Sequence, residues 1–352
     1  MKKLIATAIV TIFIGSTAFY LFPQFSTLPD KINLSISLII LTLQLIAIGA
    51  FLTSLRAFRR SLRAAYYLLT LGILFFSFNQ IQLPVVSFIA IDPIILSLAI
   101  TLSTLIGAVV SYISMFHLSK LLGTAVSKRD ASFTIALASG LAIGAAVAPH
   151  TPYPISEPIV DIIFGTYMAA GGFAIGAAIL VSRLHHSIAP IYHTAMQWLM
   201  ASFVAVSFAC FHETFIRMVP LFDTEPFIGY ILYGFSLWPL FVVACLFFGA
   251  SLFFRKISNN FSRLPQNTNY MDVITYVSGF ISNPGAAEVV LAKTHAIVAG
   301  IANPDQLTDS DKVKLTYAYL QLEDYLVTSE PFLNLTRDEL RSQLPDSFQD
   351  RL

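Results

Sequence analysis

Charge is what this chain has least of. Of its 352 residues only 12% are Asp, Glu, Lys or Arg, whereas 56% are apolar and the mean hydropathy is +0.73. A soluble globular chain carries about 25% charged and about 45–50% apolar residues, so a water-soluble enzyme is excluded. Cysteine is scarcer still. Cys210 and Cys245 both fall in apolar stretches, where a free thiol behaves as a small hydrophobe, and two cysteines so placed make neither a disulfide framework nor a thiolate metal cluster. Also missing are a Walker A loop, a kinase glycine loop, an HExxH pair and any Cys/His ligand set, so no motif implies a catalytic chemistry or a cofactor. The net charge of +1 offers nothing to a nucleic acid.

The scarce charge is also unevenly spread. Residues 1–254 hold 12 basic and 8 acidic side chains, whereas the remaining 98 residues hold 9 and 12. The first part reads as a membrane domain. A helix needs about 20 apolar residues to cross some 30 Å of hydrocarbon, because every unpaired backbone amide there costs several kcal/mol. Eight segments qualify, near 4–22, 33–54, 64–83, 94–116, 131–149, 158–182, 188–213 and 227–253. The first reads as an uncleaved span, since no small-x-small cleavage signal follows it.

Basic residues set the expected orientation. Lys2, Lys3, Arg56, Arg59, Arg60, Arg63, Lys120, Lys128, Arg129, Arg183, Arg255, Lys256 and Arg263 fall on alternate connections. The opposite connections carry only Lys31 and Arg217, with Asp30, Asp92, Glu157, Asp161, Glu213, Asp223 and Glu225. Lys and Arg are retained on the cytoplasmic side, so the pattern predicts eight spans in a cell membrane with both termini cytoplasmic. The acid excess outside forms a candidate vestibule for cations or basic ligands.

After Phe254 the composition turns polar. Residues 255–268 read as a linker, and 269–352 as a small cytoplasmic helical domain. The fold class is therefore all-α: a polytopic bundle of eight transmembrane helices followed by a helical tail. In the tail, Tyr270, Val273, Ile274, Val277, Phe280 and Ile281 predict a helix over 269–282, and a second is expected over 286–302. Capping boxes at Thr308/Asp311 and Thr336/Glu339 open two more, and Leu335 with Leu340 is placed as the hydrophobic staple of the last. In the third helix Val313, Tyr317 and Leu320 line one side and Leu315, Tyr319, Leu322 and Leu326 another, which predicts burial on two faces. A core this small calls for support from self-association or from the membrane domain, and a cytoplasmic protein partner or a second copy is expected to bind through 269–352.

Candidate site residues are few. No ionisable side chain sits at the middle of a span, which argues against a buried carboxylate relay, and no span carries the lysine a retinal would need. His150, Asp161, His212 and Glu213 are expected at similar depth near the outer face, where they form a candidate metal or ligand cluster. Glu213 and Arg217 alternatively make an i, i+4 pair. Gln44 lies near the centre of span two, and Ser97, Thr101, Thr104 and Ser111 share one face of span four, as a packing seam or a pore lining. His193 and Gln197 form an i, i+4 pair in span seven.

Spans five and six carry near-copies of one string. Gly140 and Gly144 stand in the first as Gly172 and Gly176 do in the second, each a GxxxG suited to close helix packing. Pro220, Pro226 and the Trp238-Pro239 pair are placed to kink or frame span eight. Lone His295, in the tail, has no nucleotide-binding domain after it and reads as structural. The leading functional expectation is a receptor or signal transducer. The alternatives are a carrier or channel for a neutral solute and a membrane-embedded metal enzyme.

Overall fold

The computed structural model describes residues 2–21, 30–55, 60–88, 93–122, 124, 126–147, 157–188, 192–218, 227–260, 268–330 and 333–352. Every regular element among them is helical. Eight long helices come first: α1 (Lys2–Leu21), α2 (Asp30–Ser54), α3 (Arg60–Phe88), α4 (Pro93–Leu121), α5 (Lys128–Val147), α6 (Glu157–Ser187), α7 (His193–Met218) and α8 (Phe227–Asn260). Five shorter ones follow: α9 (Tyr270–Ser278), α10 (Glu288–Ala299), α11 (Asp309–Ser329), α12 (Arg337–Ser342) and α13 (Asp346–Gln349).

Among the described residues, six stretches are long and apolar enough to cross a membrane, one each in α2, α4, α5, α6, α7 and α8. Two shorter apolar stretches, Lys3–Ile12 and Leu62–Phe78, lie in α1 and α3. The outward surface of the long helices is apolar as well: Ile39, Phe78, Phe133, Ile143 and Ile162 are all exposed. Helices apolar on all sides suit lipid and not water.

The long helices close into a ring. Packing runs from α8 to α2, α3, α4, α6 and α7 and returns to α8, with α1 outside on α7 and α8, and α5 outside on α6. The ring is filled by aromatic side chains that reach across it. Phe247 of α8 stacks on Phe76 of α3 at 6.2 Å and meets Phe203 of α7 edge-on at 5.9 Å, and Phe254 of α8 meets Tyr66 of α3 edge-on at 5.3 Å. All five rings are buried.

Two helix pairs approach at backbone distance. A Cβ added at Gly72 would stand 3.0 Å from the Gly107 carbonyl oxygen, so α3 and α4 touch where neither has a side chain. Ser103 Oγ donates to the Phe75 carbonyl at 2.8 Å, and Ser114 Oγ to the Ala65 carbonyl at 2.6 Å, on either side of that contact. A Cβ added at Gly172 would lie 2.7 Å from Ala138 Cα, so α6 presses on α5 in the same way. Close approach of this kind replaces the hydrophobic drive that is absent between helices in lipid.

The shorter helices follow their capping residues. Asn269 with Asp272, Thr308 with Asp311 and Thr336 with Glu339 each form reciprocal capping boxes at the starts of α9, α11 and α12. α9 stops at Ser278 and not Ser282, because Gly279, Phe280 and Ile281 turn back onto the carbonyls of its last turn. Phe280 and Ile281 are nevertheless buried. The expectation that the third tail helix is buried on two faces needs correcting. Leu315, Tyr319, Leu322 and Leu326 of α11 are fully buried, but on the other side only Leu320 packs partly against the core, while Val313 and Tyr317 are 70% and 57% exposed. Phe348 of α13 packs against Tyr270 and Tyr319, and Arg341 of α12 grips buried Glu323 of α11 through two bonds of 2.9 and 3.0 Å. α8 also runs on to Asn260, carrying helix into the stretch expected as linker.

Candidate functional site

The outer-face residues are not gathered where the structure describes them. His150 lies outside the described residues, as does the side chain of Glu213, whose backbone belongs to α7. That leaves Asp161 on α6 and His212 on α7. Two contacts set the register of this antiparallel pair: Gly171 against the Phe211 ring, and Gln197 Nε2 at 3.1 Å from His185 Nε2. In both, the two residue numbers share one sum, which puts His212 level with Ala170 and Asp161 nine residues nearer the start of α6. At 1.5 Å per residue the two positions lie about 14 Å apart along the axis. His212 instead packs its ring against Phe208, at 6.2 Å. Among the described residues, no group of three or more His, Cys, Asp or Glu is arranged to hold a metal ion.

The hydroxyl stripe of α4 divides. Thr101 and Thr104 are buried, and their hydroxyls donate to carbonyls of their own helix, Leu98 at 3.3 Å and Ile100 at 2.9 Å. Ser111 lies on the α3 contact, with Oγ 2.2 Å from where a Gly72 Cβ would stand. The side chain of Ser97 lies outside the described residues. Ser103 and Ser114 carry bonds from α4 to α3. The signal for this seam was present in the sequence as Ser103, Gly107 and Ser111, a small residue at every fourth position, with Ser114 three further on.

Gln44 near the centre of α2 and Ser111 of α4 both bury polar atoms that lack a hydrogen-bond partner among the described residues, and Gln44 buries two. It is fully buried, and neither its amide oxygen nor its amide nitrogen has a hydrogen-bond partner among the described residues. The two GxxxG strings also part company. Gly172 and Gly176 are packed against Ala138 and Thr134 of α5, whereas Gly140 and Gly144 have nothing within 4 Å and face outward. Pro239 lies inside α8, while Pro220 and Pro226 are outside the described residues.

A histidine cluster at the α6–α7 turn was not anticipated. His185 stacks on His193 at 4.3 Å and meets His186 edge-on at 5.3 Å. His193 Nε2 bonds the Ile188 carbonyl at 3.0 Å. The predicted His193/Gln197 pair is thus two separate links to α6. The His185-His186 dipeptide followed by His193 was the available signal, but only the turn brings the rings together.

The second polar concentration lies where the tail helices meet the bundle. Glu330, at the end of α11, is fully buried and accepts the Ser282 backbone N–H at 2.9 Å and the Ser282 hydroxyl. The next residue, Asn283, donates through Nδ2 to the carbonyl of Leu122, just past α4. Burial, together with the Glu330 charge, raises the Tyr325 phenol above its ordinary range. One continuous apolar core joins Leu118, Leu122, Ile188 and Tyr192 of the bundle to Phe280, Ile281 and Ala287 of the tail.

Comparison of the chain with protein-family models, with curated proteins and with solved structures returns no match. The class that the architecture is compatible with is a multi-pass helical membrane protein.

Proposed function

We propose that this chain is an eight-span membrane receptor or signal transducer with both termini cytoplasmic, whose bundle passes a change in packing to its last hundred residues. Two further spans are assigned to α1 and α3, which run for 20 and 29 residues, long enough at 1.5 Å per residue to cross about 30 Å of hydrocarbon. The orientation rests on the alternation of basic connections. The observation that carries the reading is the aromatic filling of the ring. Phe76, Phe203 and Phe247 meet across its interior, so the bundle offers packed side chains where a carrier needs a path. The tail then acts on a cytoplasmic protein partner or on a second copy. A reporter fused after Leu352 is expected to be cytoplasmic, and a chain ending at residue 264 is expected to reach the membrane yet reproduce the loss-of-gene phenotype. A truncated chain that keeps every function of the intact one overturns the proposal.

One observation favours a carrier or channel for a neutral solute. A buried amide with both ends unpartnered among the described residues, as in Gln44, is what a polar solute would bind. The two readings predict opposite results for Gln44→Leu. Leaving a buried polar group unsatisfied costs about 1–3 kcal/mol, so in a transducer the substitution is expected to raise the thermal midpoint of the purified protein. A loss of solute uptake into proteoliposomes, without that rise, would select the carrier.

A further inference from the structure

The junction between tail and bundle is built unlike an ordinary apolar contact. A carboxylate with no exposed surface is expensive to bury, and it persists only where donors meet it. Glu330 has such donors in the N–H and O–H of Ser282, both on the corner between α9 and α10. That corner is thereby tied to the far end of α11, 48 residues on in the chain. Asn283, the next residue, spends its two amide ends differently: Oδ1 accepts from the Ala286 N–H at 3.3 Å and shapes the turn, while Nδ2 reaches out of the tail to the Leu122 carbonyl. Leu122 follows directly on α4, where the backbone carbonyls at a helix end have no partners within their own helix. The same junction brings Glu330 within electrostatic reach of Tyr192, at the start of α7.

We infer that this corner is a releasable latch. Glu330 is the strut that holds Ser282 and Asn283 in shape, and Asn283 is the catch that holds the tail helices on the end of α4. The side-chain bond from Asn283, closing over the apolar contact between tail and bundle, makes docking a local equilibrium, separate from the folding of either part. Movement of the α4 end is then sufficient to free the tail, and the tail on release exposes Phe280 and Ile281 with the corner. The latch goes beyond the receptor reading and does not depend on it, because it concerns how two parts of the chain are held, whatever signal moves them.

The test uses the full chain in lipid nanodiscs, with Cys210 and Cys245 replaced by Ala and spin labels placed at Lys120 on α4 and Val313 on α11, both exposed. The unsubstituted junction is expected to give one narrow distance. Asn283→Asp keeps the oxygen that accepts from Ala286 but turns an acceptor toward the Leu122 carbonyl, and it is expected to raise the longer-distance population about tenfold. Helix content by circular dichroism is expected to stay unchanged. Glu330→Gln, which removes the charge from the strut, is expected to act in the same direction and to speed amide exchange at Ser282. Distances identical to those of the parent in both variants overturn the latch. If Asn283→Asp does not yield folded protein, Ser282→Ala replaces it, with the same expected lengthening and the same overturning result.

Discussion

Phe247→Ala is expected to be the most damaging single substitution in the bundle. The ring has no exposed surface and fills the space between α8, α3 and α7, touching Phe76 and Phe203. Truncating a buried Phe costs about 3–5 kcal/mol, through lost dispersion and the cavity left behind, and neighbouring helices in a closed ring relax little to refill it. The expected observation is a large fall in the thermal midpoint or in the denaturing-detergent midpoint of the purified protein. Phe247→Leu is expected to recover most of it. The same pair tests the filled interior: if Phe247 blocks a path, proteoliposomes containing the Ala variant leak a small neutral solute and those with the Leu variant do not. A Phe247→Ala protein as stable as the parent would mean that this ring is not a structural plug.

The second large effect is a contrast between two strings that look alike. Gly172→Val is expected to disrupt the α5–α6 pair, because the added atoms meet the Ala138 backbone at 2.7 Å, and a main chain cannot turn aside as a side chain does. Overpacking of this kind costs about 1–3 kcal/mol or more, and since α5 packs on α6, the expected result is partial release of α5, read as protease sensitivity of its flanking connections. Gly140→Val, at the equivalent place in the other string, meets nothing within 4 Å and is expected to change stability by less than about 0.5 kcal/mol. Equal effects at the two positions would show that the outward face of α5 is covered by something, a second copy of the chain being the first candidate to examine by crosslinking.

Much of the architecture was legible beforehand, for reasons that differ by region. The long helices announced themselves because hydrocarbon demands an uninterrupted apolar run. The capping boxes at Thr308/Asp311 and Thr336/Glu339 were legible because a cap is a contact between residues three apart, which neighbouring sequence positions display directly. The candidate site was much less so. Asp161 and His212 were expected at one depth, yet the α6–α7 register separates them, since depth near a helix end depends on how far each helix extends beyond the lipid. Thr101 and Thr104 each donate to their own helix, and bonds to α3 come from Ser103 and Ser114, which the predicted stripe did not include. A helical face that is polar in sequence does not say which neighbour it meets.

Sequence alone determined what is local or one-dimensional in this protein: which segments are apolar, where charge alternates, where helices begin. Those properties follow from transfer of side chains between water and lipid and from hydrogen bonds within a single turn. Tertiary structure decided which of two similar glycine motifs is pressed against a neighbour, which aromatic rings meet across the ring of helices, and that Glu330 meets Ser282 while Asn283 reaches the Leu122 carbonyl. Each of these joins residues far apart in the chain, and in lipid, where every helix surface is apolar, only the shapes of packed side chains distinguish one partner from another.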